Sequence, residues 1–168
     1  MNEFRQARIL SERKGKWMLN LYPPILFNRI TVRKIGRDYR SMTVRVARSL
    51  ITRNMNGTTF GGTIFSAADP FYSVMYWQIL ARENIRIRIW LKSATIRYLK
   101  PAASELTLEF SLSENRIREA TETLTRDGKF VGSHHTEAVD TDGVVCALIE
   151  TEVHIRLAGD EQRPVSSF

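Results

Sequence analysis

The sequence is short of cysteine, histidine and long apolar runs, and each shortage removes a class of protein. Cys146 is the only cysteine among 168 residues. No intrachain disulfide can form, and no thiolate cluster can hold a metal. Of the three histidines, His134 and His135 are adjacent, and on a strand they point to opposite faces. They make no simple two-histidine metal pair, and His154 stands alone. The expectation is no metal, with core or surface roles for all three. No run approaches the roughly 18 apolar residues of a membrane span. Met1 to Lys16 mixes Arg, Glu, Gln and Lys with apolar residues, and holds no apolar stretch of secretory-signal length. Zinc-ligand spacing, the aromatic-glycine strand of RNA readers and a helix-turn-helix pattern are all missing. Together these absences predict a cytoplasmic protein with neither a membrane nor a nucleic-acid partner.

What is present is an ordinary globular composition, 43% hydrophobic and 26% charged. The length suits one domain with a substantial core. Twenty-five Lys and Arg against 18 Asp and Glu leave a net charge of +7. Such a field attracts phosphorylated small molecules, acidic lipid or nucleic acid, unless the arginines are simply solvated.

Periodicity gives the organisation. Residues 3 to 20 read as a helix, with Phe4, Ala7, Ile9, Leu10, Trp17, Met18 and Leu21 spaced as a rough apolar face around Gly15. Pro23-Pro24 ends it. Arg29 to Gly36 and Ser41 to Leu50 alternate as strands, and Gly36-Arg37-Asp38 turns between them. Ile85 to Tyr98 is a long strand whose inward parity switches, which predicts a bulge near Leu91. Leu106 to Leu112 alternates again. Ser113 is placed to cap a short helix carrying Ile117, Ala120 and Leu124. Lys129 to Asp140 and Val144 to Leu157 pair as a hairpin through Asp142-Gly143. The reading is a single α+β domain: a helical segment at 1–27, a core at 28–157 and a polar, frayed tail at 158–168.

The most distinctive stretch is polar and glycine-rich, Arg53 to Gly62, and leads into about twenty mostly apolar residues (Thr63 to Leu80). Ile64, Ala68, Phe71, Met75 and Ile79 recur at helical spacing, and Phe65, Tyr72 and Tyr76 extend the apolar surface. A helix that is apolar nearly all round is buried, so an antiparallel sheet should wrap it. Asp69 has two readings. It is a helix cap followed by a first-turn proline, or it is a desolvated carboxylate of raised pKa that acts as a base. In the second case Pro70 leaves the Ser66 carbonyl unpaired and bends the axis. Gly61 and Gly62 either permit tight packing or let a ligand approach helix N-terminal amides. Asn54 and Asn56 either orient a ligand or form ordinary turns before Gly57.

The run Phe60-Gly61-Gly62-Thr63-Ile64-Phe65-Ser66-Ala67-Ala68-Asp69 resembles the signature of PaaI-type hotdog-fold thioesterases. That signature is His-Gly-Gly, then small and apolar residues, then an acidic residue on the central helix. Asn54-x-x-Gly57-Thr58 is similar to the family's lead-in, Ile96 to Ala102 to its central strand and exit, and the Asp142-Gly143 hairpin to its last two strands. The resemblance spans roughly residues 28 to 157. With Tyr22-Pro23-Pro24, Asp69-Pro70-Phe71-Tyr72 and Trp90-Leu91-Lys92-Ser93 it is nearest to a bacterial branch known as a domain of unknown function.

The resemblance implies a hotdog fold, a homodimer or a dimer of such dimers, and active sites shared between subunits. It implies hydrolysis of an acyl thioester, with coenzyme A as part of the substrate and no further cofactor. Asp69 would be base or nucleophile, Gly61 and Gly62 oxyanion donors, and Asn54 a positioner of the carbonyl. Asn56, Phe60, Phe65, Lys92 and Arg97 would contact substrate, with Lys92 pairing with Asp69 or, like Arg97 and Lys100, facing phosphates, unless the three are plain solvated strand residues. Phe60 departs from the pattern, because it stands where the family carries histidine and donates no hydrogen bond. A non-catalytic hotdog that binds acyl-CoA is the alternative.

Overall fold

The computed structural model describes residues 8–159. Helices α1 (Glu12–Leu21) and α2 (Pro23–Phe27) lead into strands β1 (Ile30–Ile35) and β2 (Ser41–Val46). Helices α3 (Gly61–Ser66) and α4 (Asp69–Arg82) follow. Then come β3 (Ile87–Tyr98), β4 (Leu106–Ser111), α5 (Glu114–Asp127), β5 (Lys129–Val139) and β6 (Val145–Leu157). The six strands form one antiparallel sheet in the order β1-β2-β4-β5-β6-β3.

Helix α4 packs against this sheet, as its all-round apolar surface requires. Phe71, Tyr72, Met75, Tyr76, Ile79 and Leu80 are buried. Each fully buried large apolar side chain stabilises the fold by about 1.5–3 kcal/mol. The sheet answers with every second residue, including Val32, Val44, Leu108, Phe110, Ile149 and Val153.

Local signals explain the joints. Ser113 Oγ accepts the Arg116 amide at the start of α5, and Gly128 ends it at φ 72°. The turn between β5 and β6 is held by Asp140, whose Oδ1 accepts the amides of Asp142 and Val144, with Gly143 at φ 78°. The pairing of β3 with β6 slips between Leu91 and Ser93, so Lys92 is the extra residue of the expected bulge. β4 and β5 share only two ladder pairs, Thr107–Val139 and Leu108–Ala138. Beyond them the Tyr72 hydroxyl donates to the His135 carbonyl at 3.0 Å and meets Thr136 Oγ1 at 3.1 Å.

Four expectations need correction. The long helix is two, broken at Ala67-Ala68, because Pro70 has no N–H to give Ser66 and its ring clashes with that carbonyl. The segment Arg8 to Ser11 is not helical, and Phe4 and Ala7 lie outside the described residues. Trp17, Met18 and Leu21 face solvent, while Gly15 and Leu19 face the protein. Gly15 is glycine because any Cβ there would collide with the Tyr39 hydroxyl, which donates to the Ser11 carbonyl at 3.2 Å. Strand β2 stops at Val46, well short of Leu50. Pro23-Pro24 does end α1, and it also opens α2, where first-turn prolines lack no needed donor.

Candidate functional site

The break at Ala67-Ala68 fixes the position of Asp69. Ala68 is the N-cap of α4 and makes no side-chain cap bond, so Asp69 is the first helical residue and not the cap. Among the described residues its carboxylate has neither a hydrogen bond nor an ion pair. Burial raises its pKa above the ordinary aspartate value. A carboxylate of this kind is a stronger base than a solvated one.

Asp69 lies in the wall of a cavity of about 850 Å³. The lining combines Pro70, Ser73, Val74 and Trp77 of α4, Ile87 to Leu91 of β3, and Tyr22 between α1 and α2. The surface is mainly apolar, and Arg88 is the basic member of the lining. Alternation on β3 supplies Ile87, Ile89 and Leu91 from one face of the strand.

Gly61 lies elsewhere, in a cleft of about 400 Å³ with Asn54, Thr58, Thr59, Ile64 and Tyr98 to Ala102. A Cβ on Gly61 would stand 2.6 Å from the Tyr98 hydroxyl, which donates to the Gly61 carbonyl at 3.1 Å. A Cβ on Gly62 would collide with the Phe60 ring. Each glycine therefore lies under an exposed aromatic side chain, Tyr98 over Gly61 and Phe60 over Gly62. Their amides open α3, and among the described residues neither has an acceptor. Asn54 is largely engaged in its own loop. Its Oδ1 accepts the amides of Asn56 (3.0 Å) and Thr58 (3.1 Å), and its Nδ2 donates to Thr58 Oγ1 (2.9 Å). This closes the loop around Gly57, which sits at φ 76°.

The family model described as Domain of unknown function (DUF4442) matches residues 12–155. The chain belongs to that family. No curated protein matches the sequence. Among solved structures, this DUF4442 chain resembles PA5026 of Pseudomonas aeruginosa, a protein of unknown function described as a probable thioesterase. The two share 18% identity and a TM-score of 0.79, over 89% of this chain and 97% of that one. OLEI01261 of Chlorobaculum tepidum, of unknown function, matches at 15% identity and TM-score 0.73, over 87% and 94%. The E. coli PaaI protein from the phenylacetic acid degradation operon matches at 17% and 0.60, over 88% and 93%. The DUF4442 chain has the hotdog fold of these thioesterase-like proteins.

The remaining expected site residues of this DUF4442 protein are scattered. Phe60 caps α3 and is exposed over Gly62, and Phe65 is exposed on the same helix. Asn56 is exposed at the loop tip. Lys92 pairs with Glu152 on the neighbouring strand (3.0 Å) and not with Asp69. Arg97 lies on the outer face of the sheet, in a separate cleft of about 790 Å³ with Glu109, Glu137 and Glu150. Lys100, by contrast, lines the Gly61 cleft. His134 is core, stacked 4.2 Å from the Tyr72 ring, and burial, then Arg116 and His135, push its pKa down to about 4. The lining residues Tyr22, Trp77 and Arg88 carried no role in the sequence. No local signal marks them, because they reach the cavity from three separate elements.

Proposed function

We propose that the protein hydrolyses an acyl thioester, with Asp69 as base or nucleophile. The observation that carries this reading is a half-buried carboxylate, without a partner among the described residues, in the wall of an apolar cavity large enough for an acyl group. Ionised Asp69 would attack the thioester carbonyl or take a proton from water that does so. The open amides of Gly61 and Gly62 would then receive the oxyanion, and Lys100 would meet a phosphate of coenzyme A. Asn54, engaged in its loop, would shape this cleft and not polarise the carbonyl. The likeness to solved proteins described as thioesterases supports the same chemistry.

The two clefts of one chain are separate, and pairing of two chains would join them. Strand β3 has β6 on one side and no strand on the other among the described residues. A long open edge carrying exposed Trp90 and Tyr98 is a template for another strand. If two β3 strands pair antiparallel about Lys92-Ser93, the Tyr98 end of one lies beside the Ile87 end of the other. The Gly61 cleft of one protomer then adjoins the Asp69 cavity of its partner.

Phe60 favours a second reading, a protein that binds acyl-CoA without cleaving it. A thiol-release assay across acyl-CoA chain lengths separates the two. Hydrolysis by the wild type should fall at least ~100-fold in Asp69→Asn, the lower end of a positioned acid–base contribution. Tight acyl-CoA binding with no thiol release by the wild type or by Phe60→His would replace the enzyme with the binding protein.

A further inference from the structure

Helix α1 is amphipathic the wrong way round for a helix on a globular protein. Its buried residues are Gly15 and Leu19. Lys14, Trp17, Met18 and Leu21, at the i, i+3, i+4, i+7 spacing of a single helix face, point outward. The surface continues over Tyr22, Leu26 and Phe27. From Trp17 to Phe27 these six large apolar residues are 46 to 72% exposed. Six such side chains on two successive helices form a patch, where scattered single ones would mean nothing.

The segment that carries this patch is one-sided in charge. Residues 8–40 hold nine Lys and Arg against Glu12 and Asp38, a net +7 equal to that of the entire chain. Glu12 is turned toward the protein, where it accepts the Asp38 amide at 2.9 Å. Arg13, Lys14, Arg29 and Arg33 are exposed. Exposed Trp, Tyr, Phe and Leu bordered by Lys and Arg are the composition of a helix that lies in a lipid interface. A second copy of this surface would bring the same positive charge against it, with no acidic complement.

We infer that the α1–α2 face docks on an anionic lipid surface, with Trp17, Leu21 and Phe27 entering the interface and Arg13, Lys14 and Arg29 meeting the headgroups. This is peripheral attachment, since no described helix is long and apolar enough to cross a membrane. It revises the expectation of no membrane partner. Tyr22 belongs both to this face and to the wall of the Asp69 cavity. On the thioesterase reading, an acyl chain would pass from lipid to the cavity along that side chain.

Flotation of the purified chain with vesicles tests the inference without any reference to hydrolysis. Binding should occur to phosphatidylcholine mixed with phosphatidylglycerol, weaken with added salt, and be much poorer on phosphatidylcholine alone. The triple variant Arg13→Gln, Lys14→Gln, Arg29→Gln should lose about fivefold per charge, on the order of 100-fold in all. Trp17→Ser with Phe27→Ser should abolish binding, and thermal melts should show both variants folded because all five side chains are exposed. Wild-type fluorescence should shift to the blue on anionic vesicles, and Trp17→Phe should remove that shift. Absence of binding at low salt, or equal binding to both vesicle types, overturns the inference. So does an oligomer in solution that Trp17→Ser with Phe27→Ser dissociates, because a second copy would then cover the face.

Discussion

The two clefts beside α3 and α4 treat their polar side chains in opposite ways. At the Gly61 cleft, Asn54 has three bonds to its own loop and Tyr98 donates to Gly61, so side-chain polarity holds the backbone in place. At the Asp69 cavity the carboxylate is half-buried, and no partner among the described residues offsets its desolvation. The contrast separates two residues that the resemblance placed in one site. Residue type and spacing matched both to the family, but only Asp69 keeps its lone pairs available for chemistry, and it does so at a cost in stability. In the Gly61 cleft, what remains available is main chain and the Lys100 side chain.

Three changes test that contrast. The largest stability effect should come from Asn54→Ala, which removes three hydrogen bonds and should cost about 1–2 kcal/mol in urea denaturation, given a net value near 1 kcal/mol each and partial exposure. Asn54→Asp keeps the acceptor for both amides and should recover much of that loss. If Asn54→Ala instead left stability intact and abolished turnover, the asparagine would belong to the chemistry and the contrast would collapse. Next is Gly61→Ala. The new Cβ would displace the Tyr98 hydroxyl, an exposed side chain that can swing away, so the loss should be one hydrogen bond, about 1 kcal/mol or less. A much larger destabilisation would show that the cleft cannot relax.

The smallest effect concerns Asp69 and pH. Burial raises its folded-state pKa, so the native chain keeps this proton to higher pH than the unfolded chain. The stability of the neutral carboxyl is complete below the ordinary aspartate value and is lost as pH rises through the folded-state value. Asp69→Asn should therefore be slightly more stable than the wild type at neutral pH. The difference should vanish on acidification below about pH 4. A less stable Asp69→Asn at neutral pH would mean that the carboxylate has a stabilising partner after all.

Much of the fold was legible because its signals are local. The turns at Asp142-Gly143 and Gly128, the Ser113 cap and the parity switch that marks the Lys92 bulge each need only a few neighbouring residues. What was misread depends on distant partners. The outward stripe of α1 matches the pattern of an inward one, because periodicity reports a face but not its direction. Gly15 looked like an interruption until Tyr39, far along the chain, supplied the reason for it. The helix break was foreseen as a bend at Pro70, yet its size depended on whether α3 and α4 stay coaxial, which the residue order does not state. In the candidate site, Asp69 and the glycines were legible from their spacing. Tyr22 and Trp77 were not, because they reach the cavity through packing between elements that lie far apart in the chain.

The short seam between β4 and β5 divides the sheet into units of unequal cooperativity. On one side, β3, β5 and β6 are joined by long ladders that run nearly their full length. On the other, β1, β2 and β4 form a smaller set, tied to the first by two residue pairs and by one tyrosine on α4, whose hydroxyl meets β5 and whose ring packs on Phe110 of β4. Local opening follows the line of fewest backbone bonds, so the amides near this seam should exchange with solvent before those of the β5–β6 ladder. Tyr72 acts there as a rivet between the central helix and a gap in the sheet, and its loss would loosen the seam before it unfolded either half.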